Sequence, residues 1–332
     1  MKRFPIVRAH GSHYEVGVAI GKMMRQPIIN LLTREKASLG EKFVYYVDML
    51  PSFIEITKRY FPQYMDEVRG IADGAGVDFQ TLFSTNCREV VDYSGSTSTA
   101  DHCTIVTIPQ SNQYIVGHNE DWDAESIEIL YIFDAVIDGV HIFGLNYGDS
   151  VMGDSISVTS HGLIQAVNDL QHQDAQLGVP KKFIARAILD CKTLEEAEDI
   201  MKKVPRAAGF NHVLAQGQRL WNIESSAKEY VIEKVELQKY VHTNHYVTEL
   251  KRIDKGNQES EKRYAKVKER LSDVNSIKDM KELLSDQTDP RICREGTIGS
   301  VIFDMPNKVA HIAYGQPTPQ AYVEYSLEHV LE

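Results

Sequence analysis

Between Tyr14 and Leu32 the apolar residues of YEVGVAIGKMMRQPIINLL recur at helical spacing. PQYMDEVRGIADGAGV does the same further on, placing Met65, Val68, Ile71 and Ala72 on one face. That second stretch should stop at Gly74 and Gly76, a helix end and turn. Residues 94–101, SGSTSTAD, are small, polar and rich in breakers, and read as a loop. Directly after it the pattern switches to short runs of β-branched and aromatic residues: CTIVTI, QYIVGH, ILYIFDAVI, VHIFGLN and SISVTS. These predict strands, the first two forming a hairpin. Helical spacing returns in KKFIARAIL and TLEEAEDIMKKV, the latter opening on an N-cap at Thr193 with Glu196 three residues on. Strands follow in NHVLAQ, RLWNIES and EYVIEKV, then helices at 259–271 and SIKDMKELLSD, and a last hairpin from GSVIFDM and KVAHIAYG.

Helices in front, then two runs of strands with helices between, predict a layered α+β fold. The 332 residues are compatible with a single domain of that kind. A net charge of −11 argues against a general nucleic-acid binder, whose phosphate contacts need clustered Lys and Arg. No run approaches the ~18 apolar residues of a membrane helix, and Arg8, His10 and His13 interrupt the apolar residues near the start, so neither a span nor a signal peptide is expected. Four scattered cysteines, Cys87, Cys103, Cys191 and Cys293, do not make a disulfide framework. A reducing cytoplasm is the expected compartment, where a cysteine is either a small core residue or a reactive thiol.

The hairpin carries the unusual chemistry. Its first strand begins at Cys103 and its second ends in His118, Asn119, Glu120 and Asp121. A thiol attacks as thiolate, and something must take its proton. The acceptor can be a histidine. It can also be the cysteine's own α-amine, if cleavage before Cys103 makes that residue the first of a chain.

HCTIVTI followed by GHNEDW resembles the Cys-Thr start and Gly-x-Asn-x-Asp-[Trp/Tyr] hairpin of N-terminal nucleophile hydrolases. The match is closest to the acyl-CoA:6-aminopenicillanic acid acyltransferase (C45 peptidase-like) family, and more distant to choloylglycine hydrolases and penicillin V acylases. HYEVGVAIG, EVRGIADGAGV, NCREVVDY, SHGLIQAVNDL, GVPKKFIAR, HTNHY and ICREGTIGSVIFD extend it over nearly the whole chain. The resemblance implies a four-layer αββα sandwich spanning residues 1–332. It implies self-cleavage between His102 and Cys103, into a segment 1–102 and a nucleophile-bearing segment 103–332 that stay associated. Cys103 is then the nucleophile, and Asp121 lies near the new amine. Asn244 donates to the oxyanion, Asn168 is the second polar group of that pocket, and Arg294 lies near the thiol and favours thiolate. The expected reaction cleaves or transfers the acyl group of a small linear non-peptide amide through a Cys103 thioester. The partner is a small amide or acyl donor, no cofactor is required, and a homo-oligomer is compatible with it. Two positions depart from the family pattern: His102 stands where many relatives have glycine, and His118 where bile salt hydrolases have arginine. They keep open an alternative, an unprocessed, non-catalytic homologue that binds a small acylated ligand. A peptidase acting on other proteins is a third, weaker reading.

Other constellations fare worse. No cysteine has a papain-like context. His242 and His245, three apart on a strand, point to opposite faces and would not chelate one metal. NEDWDAESIEIL lacks the glycine and final glutamate of a calcium loop, so Glu120, Asp123 and Glu125 are expected to form a solvated rim. GIADGAG has no preceding strand and is not a nucleotide loop. Trp122 and Trp221 are expected in the core or a pocket wall. Arg88 and Glu89 either contact the site or form a structural ion pair.

Overall fold

The computed structural model describes residues 2–40, 42–88 and 103–332. Glu89, the SGSTSTAD stretch and His102 lie outside the described residues. β1 (Ile6–Gly11) leads into α1 (His13–Met23). A capping box fixes that start: the Ser12 side chain accepts from the Glu15 N–H, and Glu15 accepts from the Ser12 N–H at 2.8 Å. The helical pattern from Tyr14 does not make one helix. It breaks at Met24, and α2 (Arg25–Leu39) follows. Pro27 is the reason, since it has no N–H for the Met23 carbonyl and can sit only in a first turn.

α3 (Lys42–Tyr60), α4 (Pro62–Ala75) and α5 (Phe79–Thr85) complete the leading helices. α1 and α4 cross at four glycines. A Cβ on Gly21 would lie 2.1 Å from the Ile71 carbonyl oxygen, and one on Gly70 would lie 2.2 Å from that of Tyr14. Gly17 and Gly74 are equally closed by the facing backbone. Gly74 is thus an interior packing residue rather than a helix stop, and the left-handed residue that ends α4 is Gly76, at φ 71°.

The strands build two sheets. β4 (Leu130–Ile137), β5 (Val140–Tyr147), β6 (Ile156–Thr159), β7 (Leu163–Asp169), β8 (Phe210–Gln216), β9 (Arg219–Ser225) and β10 (Tyr230–Glu236) run in chain order, with β1 added at the edge beside β4. The β1–β4 pair is parallel and every other pairing is antiparallel. The second sheet has the order β11-β2-β3-β12-β13-β14, from β11 (Tyr240–His242), β2 (Thr104–Gln110), β3 (Gln113–Asp121), β12 (Thr297–Asp304), β13 (Val309–Tyr314) and β14 (Val323–Ser326). The chain does not close on the β12–β13 hairpin, because β14 pairs with β13 and α10 (Glu328–Leu331) follows.

Strand alternation sorts the apolar residues into successive layers. Tyr131, Phe133, Leu214 and Ile223 face α1–α5, α6 (Lys181–Ile188) and α7 (Leu194–Lys203). Ile132, Leu145, Val158 and Ala166 face the other way and meet Ile105, Val116, Val301 and Phe303 of the second sheet. Val106, Ile115 and Ile302 turn outward against Val267 of α8 (Gln258–Arg270) and Met280 and Leu284 of α9 (Ile277–Leu284). The result is the expected αββα sandwich, with its main cores between successive layers. The Thr193 cap forms as read, accepting from the Glu196 N–H. Among the described residues no helix is long and apolar enough to cross a membrane.

Candidate active site

β2 and β3 are joined through Ser111 and Asn112, both at positive φ, the geometry of a tight hairpin turn. The register pairs Thr104 with Asn119 and Ile105 with His118, so Cys103, at the strand's start, lies beside Glu120. Alternation then gives the hairpin two chemically distinct faces. Ile105, Tyr114 and Val116 face the inter-sheet core, and Cys103, His118 and Glu120 share that face. Thr104, Asn119 and Asp121 point the other way, toward α8 and α9.

On the inner face the Cys103 thiol, 4% exposed, donates to Glu120 Oε1 at 3.4 Å. Glu120 is not a solvated rim residue: it is 5% exposed and its carboxylate is fully engaged. Tyr147 donates to Oε1 at 2.8 Å, His118 Nε2 lies 3.0 Å from Oε2, and Ser155 donates to Oε2 as well. Burial opposes the carboxylate's charge, but His118, Ser155 and Tyr147 outweigh it and hold Glu120 below the usual range. The thiol, the His118 Nε2 and the carboxylate lie within 4.8 Å of one another, a possible metal-donor set, as do Asp134, His141 and His329 near the surface. Because both Glu120 oxygens are taken by hydrogen-bond donors, the first set is wired as a proton network. Asp123 and Glu125 are exposed, as expected.

On the outer face Asp121 Oδ1 accepts from Thr297 at 2.6 Å, while Oδ2 is buried with no partner. Burial raises its carboxyl to about 7, against the lowering pull of Arg263, the Thr297 hydrogen bond and Arg294. Arg263 links the set. Its Nε donates to Thr104 Oγ1 at 2.9 Å, and its Nη2 to the Cys103 carbonyl at 3.2 Å and to Asn244 Oδ1 at 2.9 Å. Its Nη1 is buried and unpartnered. Burial lowers the guanidinium to about 10 despite the Asp121 and Cys103 charges.

Asn244 follows β11, which pairs with β2 and so delivers it beside Cys103. Its side-chain amide donates to the Asp169 carbonyl at 3.2 Å. Asn168, the neighbour of Asp169 on β7, turns its Oδ1 to His242 Nδ1 at 3.0 Å and leaves its own amide nitrogen buried without a partner. His242 also meets Glu224 at 2.9 Å, whereas His245, which lies beyond the end of β11 rather than on the strand, turns to Ser260. Cys103, Asp121 and Asn244 therefore gather around Arg263, with Asn168 one residue away from the contact. Arg294 lines a cavity of about 420 Å³ with Asp121 and Arg263; its charge reaches Asp121 and Arg263, on the face away from the thiol. A separate cavity on the thiol side is lined by Cys103, Glu120, Trp122, Tyr147, Asp149 and Phe210, among others. Trp122 walls both cavities. Arg88 does both things expected of it, lining the thiol cavity and pairing with Glu35 at 2.6 Å.

The model of the acyl-coenzyme A:6-aminopenicillanic acid acyl-transferase family matches residues 108–319. The chain belongs to this family. The acyl-transferase match takes in Asp121, Asn168, Asn244, Arg263 and Arg294 and begins after Cys103. A β-alanyl-dopamine/carcinine hydrolase of Drosophila melanogaster is 27% identical over 66% of this chain; the chain spans 64% of that hydrolase. The 40 kDa form of the acyl-coenzyme A:6-aminopenicillanic-acid-acyltransferase of Emericella nidulans is 23% identical over 81% of this chain and 80% of its own. Penicillin V acylase from Agrobacterium tumefaciens aligns at 12% identity with a TM-score of 0.38, over 64% of this chain and 82% of that one.

Arg263 is a site residue that the sequence did not single out, Glu120 one it assigned to a solvated rim, and His118 one it marked only as a departure from the family pattern. Period-2 counting back from Glu120 through His118 and Val116 to Tyr114 would have put both polar residues on the core face. Arg263 occupies the Ser260–Arg263–Val267 stripe of α8, the buried side of a helix rich in charge.

Proposed function

We propose that this protein is a self-processing cysteine amidohydrolase or acyltransferase acting on a small linear amide. The observation that carries the reading is a single residue, Cys103, at the start of a hairpin strand. Its thiol faces a polar cavity, while its carbonyl is held by an arginine beside a buried, half-satisfied aspartate. In the first step the thiol gives its proton to Glu120, the carboxylate already accepting from it, and sulfur attacks the carbonyl carbon of residue 102. The peptide C–N bond breaks, the Cys103 nitrogen takes the proton and becomes an amine, and water then releases the resulting thioester as a carboxylate.

The freed amine then serves the second reaction. Asp121 Oδ2, unpartnered in the intact chain, receives it as a hydrogen-bond donor. The amine takes the thiol proton, thiolate adds to the substrate carbonyl, and Asn244 and Asn168 offer amide N–H groups to the oxyanion. The C–N bond breaks as the leaving amine takes the proton. Water, or a second amine, cleaves the acyl-thioester and restores the thiol. The two segments stay together because β1 is a strand of the eight-stranded sheet, and α1–α5 cover one face of that sheet through a continuous apolar core. Names of the relatives support an acyl group carried on an amine nitrogen, as β-alanyl or penicillin-type amides are.

Mass spectrometry tests the thioester. An acid-quenched reaction with an activated anilide should carry the acyl mass on the Cys103 peptide and on no other cysteine. Cys191 and Cys293 are raised by burial to about 12 and about 11 and are poor nucleophiles. Slow, unselective acylation of all four cysteines would instead support the non-catalytic binding protein.

A further inference from the structure

The thiol cavity is lined by four carboxylates, Glu120, Asp149, Asp154 and Asp169, and three of them have cationic or hydrogen-bonding partners. Asp154 pairs with Lys182 at 2.8 Å, Asp169 with Lys181, and Glu120 with His118, Ser155 and Tyr147. Asp149 is different. It is 3% exposed and lines the cavity, yet no hydrogen bond or ion pair reaches its carboxylate among the described residues.

Its backbone, by contrast, is clamped. The Asp149 carbonyl accepts from Thr85 Oγ1 at 3.1 Å and from Asn86 Nδ2 at 2.8 Å, and Asn86 Oδ1 accepts from the Val151 N–H at 2.9 Å. Asn146 Nδ2 holds the next carbonyls, Ser150 at 3.3 Å and Val151 at 3.2 Å. The nearby Lys182 is committed to Ser150 and Asp154, at 2.7 and 2.8 Å. A rigid loop thus holds a carboxylate that has no hydrogen-bond or ion-pair partner among the described residues at the wall of a cavity that also contains the thiol. Burying a charge without a partner is costly unless a ligand supplies the partner.

We propose that Asp149 is the recognition group for a substrate carrying a primary ammonium, so that the amide acted on at Cys103 is a cationic one. This rests on the proposed reaction for its chemistry and on Asp149 alone for its specificity. Leu31, Ile129 and Phe210, also at the cavity, give apolar contact for the methylenes between the ammonium and the reacting carbonyl.

The test compares matched pairs of amides. On the acyl side, ω-aminoacyl anilides of increasing length (glycyl, 3-aminopropionyl, 4-aminobutyryl) are set against uncharged acyl anilides of equal length. On the amine side, N-(2-aminoethyl)butyramide is set against N-propylbutyramide. One half should show the cationic member favoured in kcat/KM by roughly 10- to 100-fold, the range of a charge-assisted hydrogen bond. Asp149→Asn should erase that ratio by lowering kcat/KM for the cationic member. Equal or better turnover of both neutral partners, or a ratio that survives in Asp149→Asn, overturns the proposal. If no amide is hydrolysed, the reaction reading fails but the site is still read by thermal shift on the purified protein. There, 3-aminopropanamide should raise the Tm and butyramide should not, with the difference lost in Asp149→Asn. No difference between the two ligands would overturn the site.

Discussion

Glutamine at position 120 would keep the shape of the side chain and remove its ability to take a proton. In the intact chain Cys103 has an amide nitrogen and no amine, so the base proposed for the cleaved protein does not yet exist. An ordinary thiol is only a few per cent thiolate at neutral pH. The acceptor in place is Glu120, 3.4 Å from sulfur and kept ionised by His118, Ser155 and Tyr147. A positioned base contributes about 10²–10⁴ in rate. Glu120→Gln should therefore slow conversion of the precursor by roughly that factor. Glu120→Asp, which keeps the carboxylate, should recover part of it. The assay is a time course of intact-chain mass after purification, with near-UV circular dichroism to show that each variant is folded. Once cleaved, the variant should hydrolyse substrate within about tenfold of wild type, because the amine then acts as base. A Glu120→Gln chain that converts at the wild-type rate would refute the reasoning. So would equal losses in conversion and turnover, which would make Glu120 a group of the mature reaction.

Further outcomes follow from the outer face and the helices. Asp121 titrates near 7 in the intact chain against an ordinary 3.8, so folding binds a proton between those values. The associated stability is fully present below pH 3.8 and is lost as pH rises through 7. In an uncleaved Cys103→Ala background, Asp121→Asn should therefore gain stability over its parent as pH rises from about 5 to 8, by at most roughly 3 kcal/mol in urea titrations. Arg263→Met strands Asp121 and the Asn244 and Cys103 acceptors, and should cost about 3–5 kcal/mol by the same measurement. Arg263→Lys, which keeps the charge without the fork, should recover only part of that loss. Gly21→Ala drives a methyl into the Ile71 carbonyl and should lower stability by about 1–3 kcal/mol or more, seen as a reduced urea midpoint.

The layered fold was legible because its signals are local. Strand runs and the Thr193 cap depend on neighbours in sequence, and they reappear in place. Long-range packing was less visible. Gly74 looks like a helix stop until α1 presents Gly17 and Gly21 to it, and nothing local announces that crossing. At the site, Cys103 and Asp121 could be paired as hairpin residues. That their side chains lie on opposite faces follows from register, which only the β2–β3 pairing fixes. Glu120 was misread because an acid in a run of acids suggests solvent. Its burial depends on Tyr147 and Ser155, which come from the other sheet. Arg263 was hidden for a similar reason, as one cation among several on α8, distinguished only by the partners beneath it.

The central claim is that Cys103 becomes the first residue of a chain and works from there. Intact mass, together with the N-terminal residue of the larger fragment, tests it most directly. The account predicts that purified wild-type protein consists of residues 1–102 and 103–332, the latter beginning with cysteine, and that Cys103→Ala remains a single inactive chain. A wild-type protein that hydrolyses amides while still one uncut chain would contradict it.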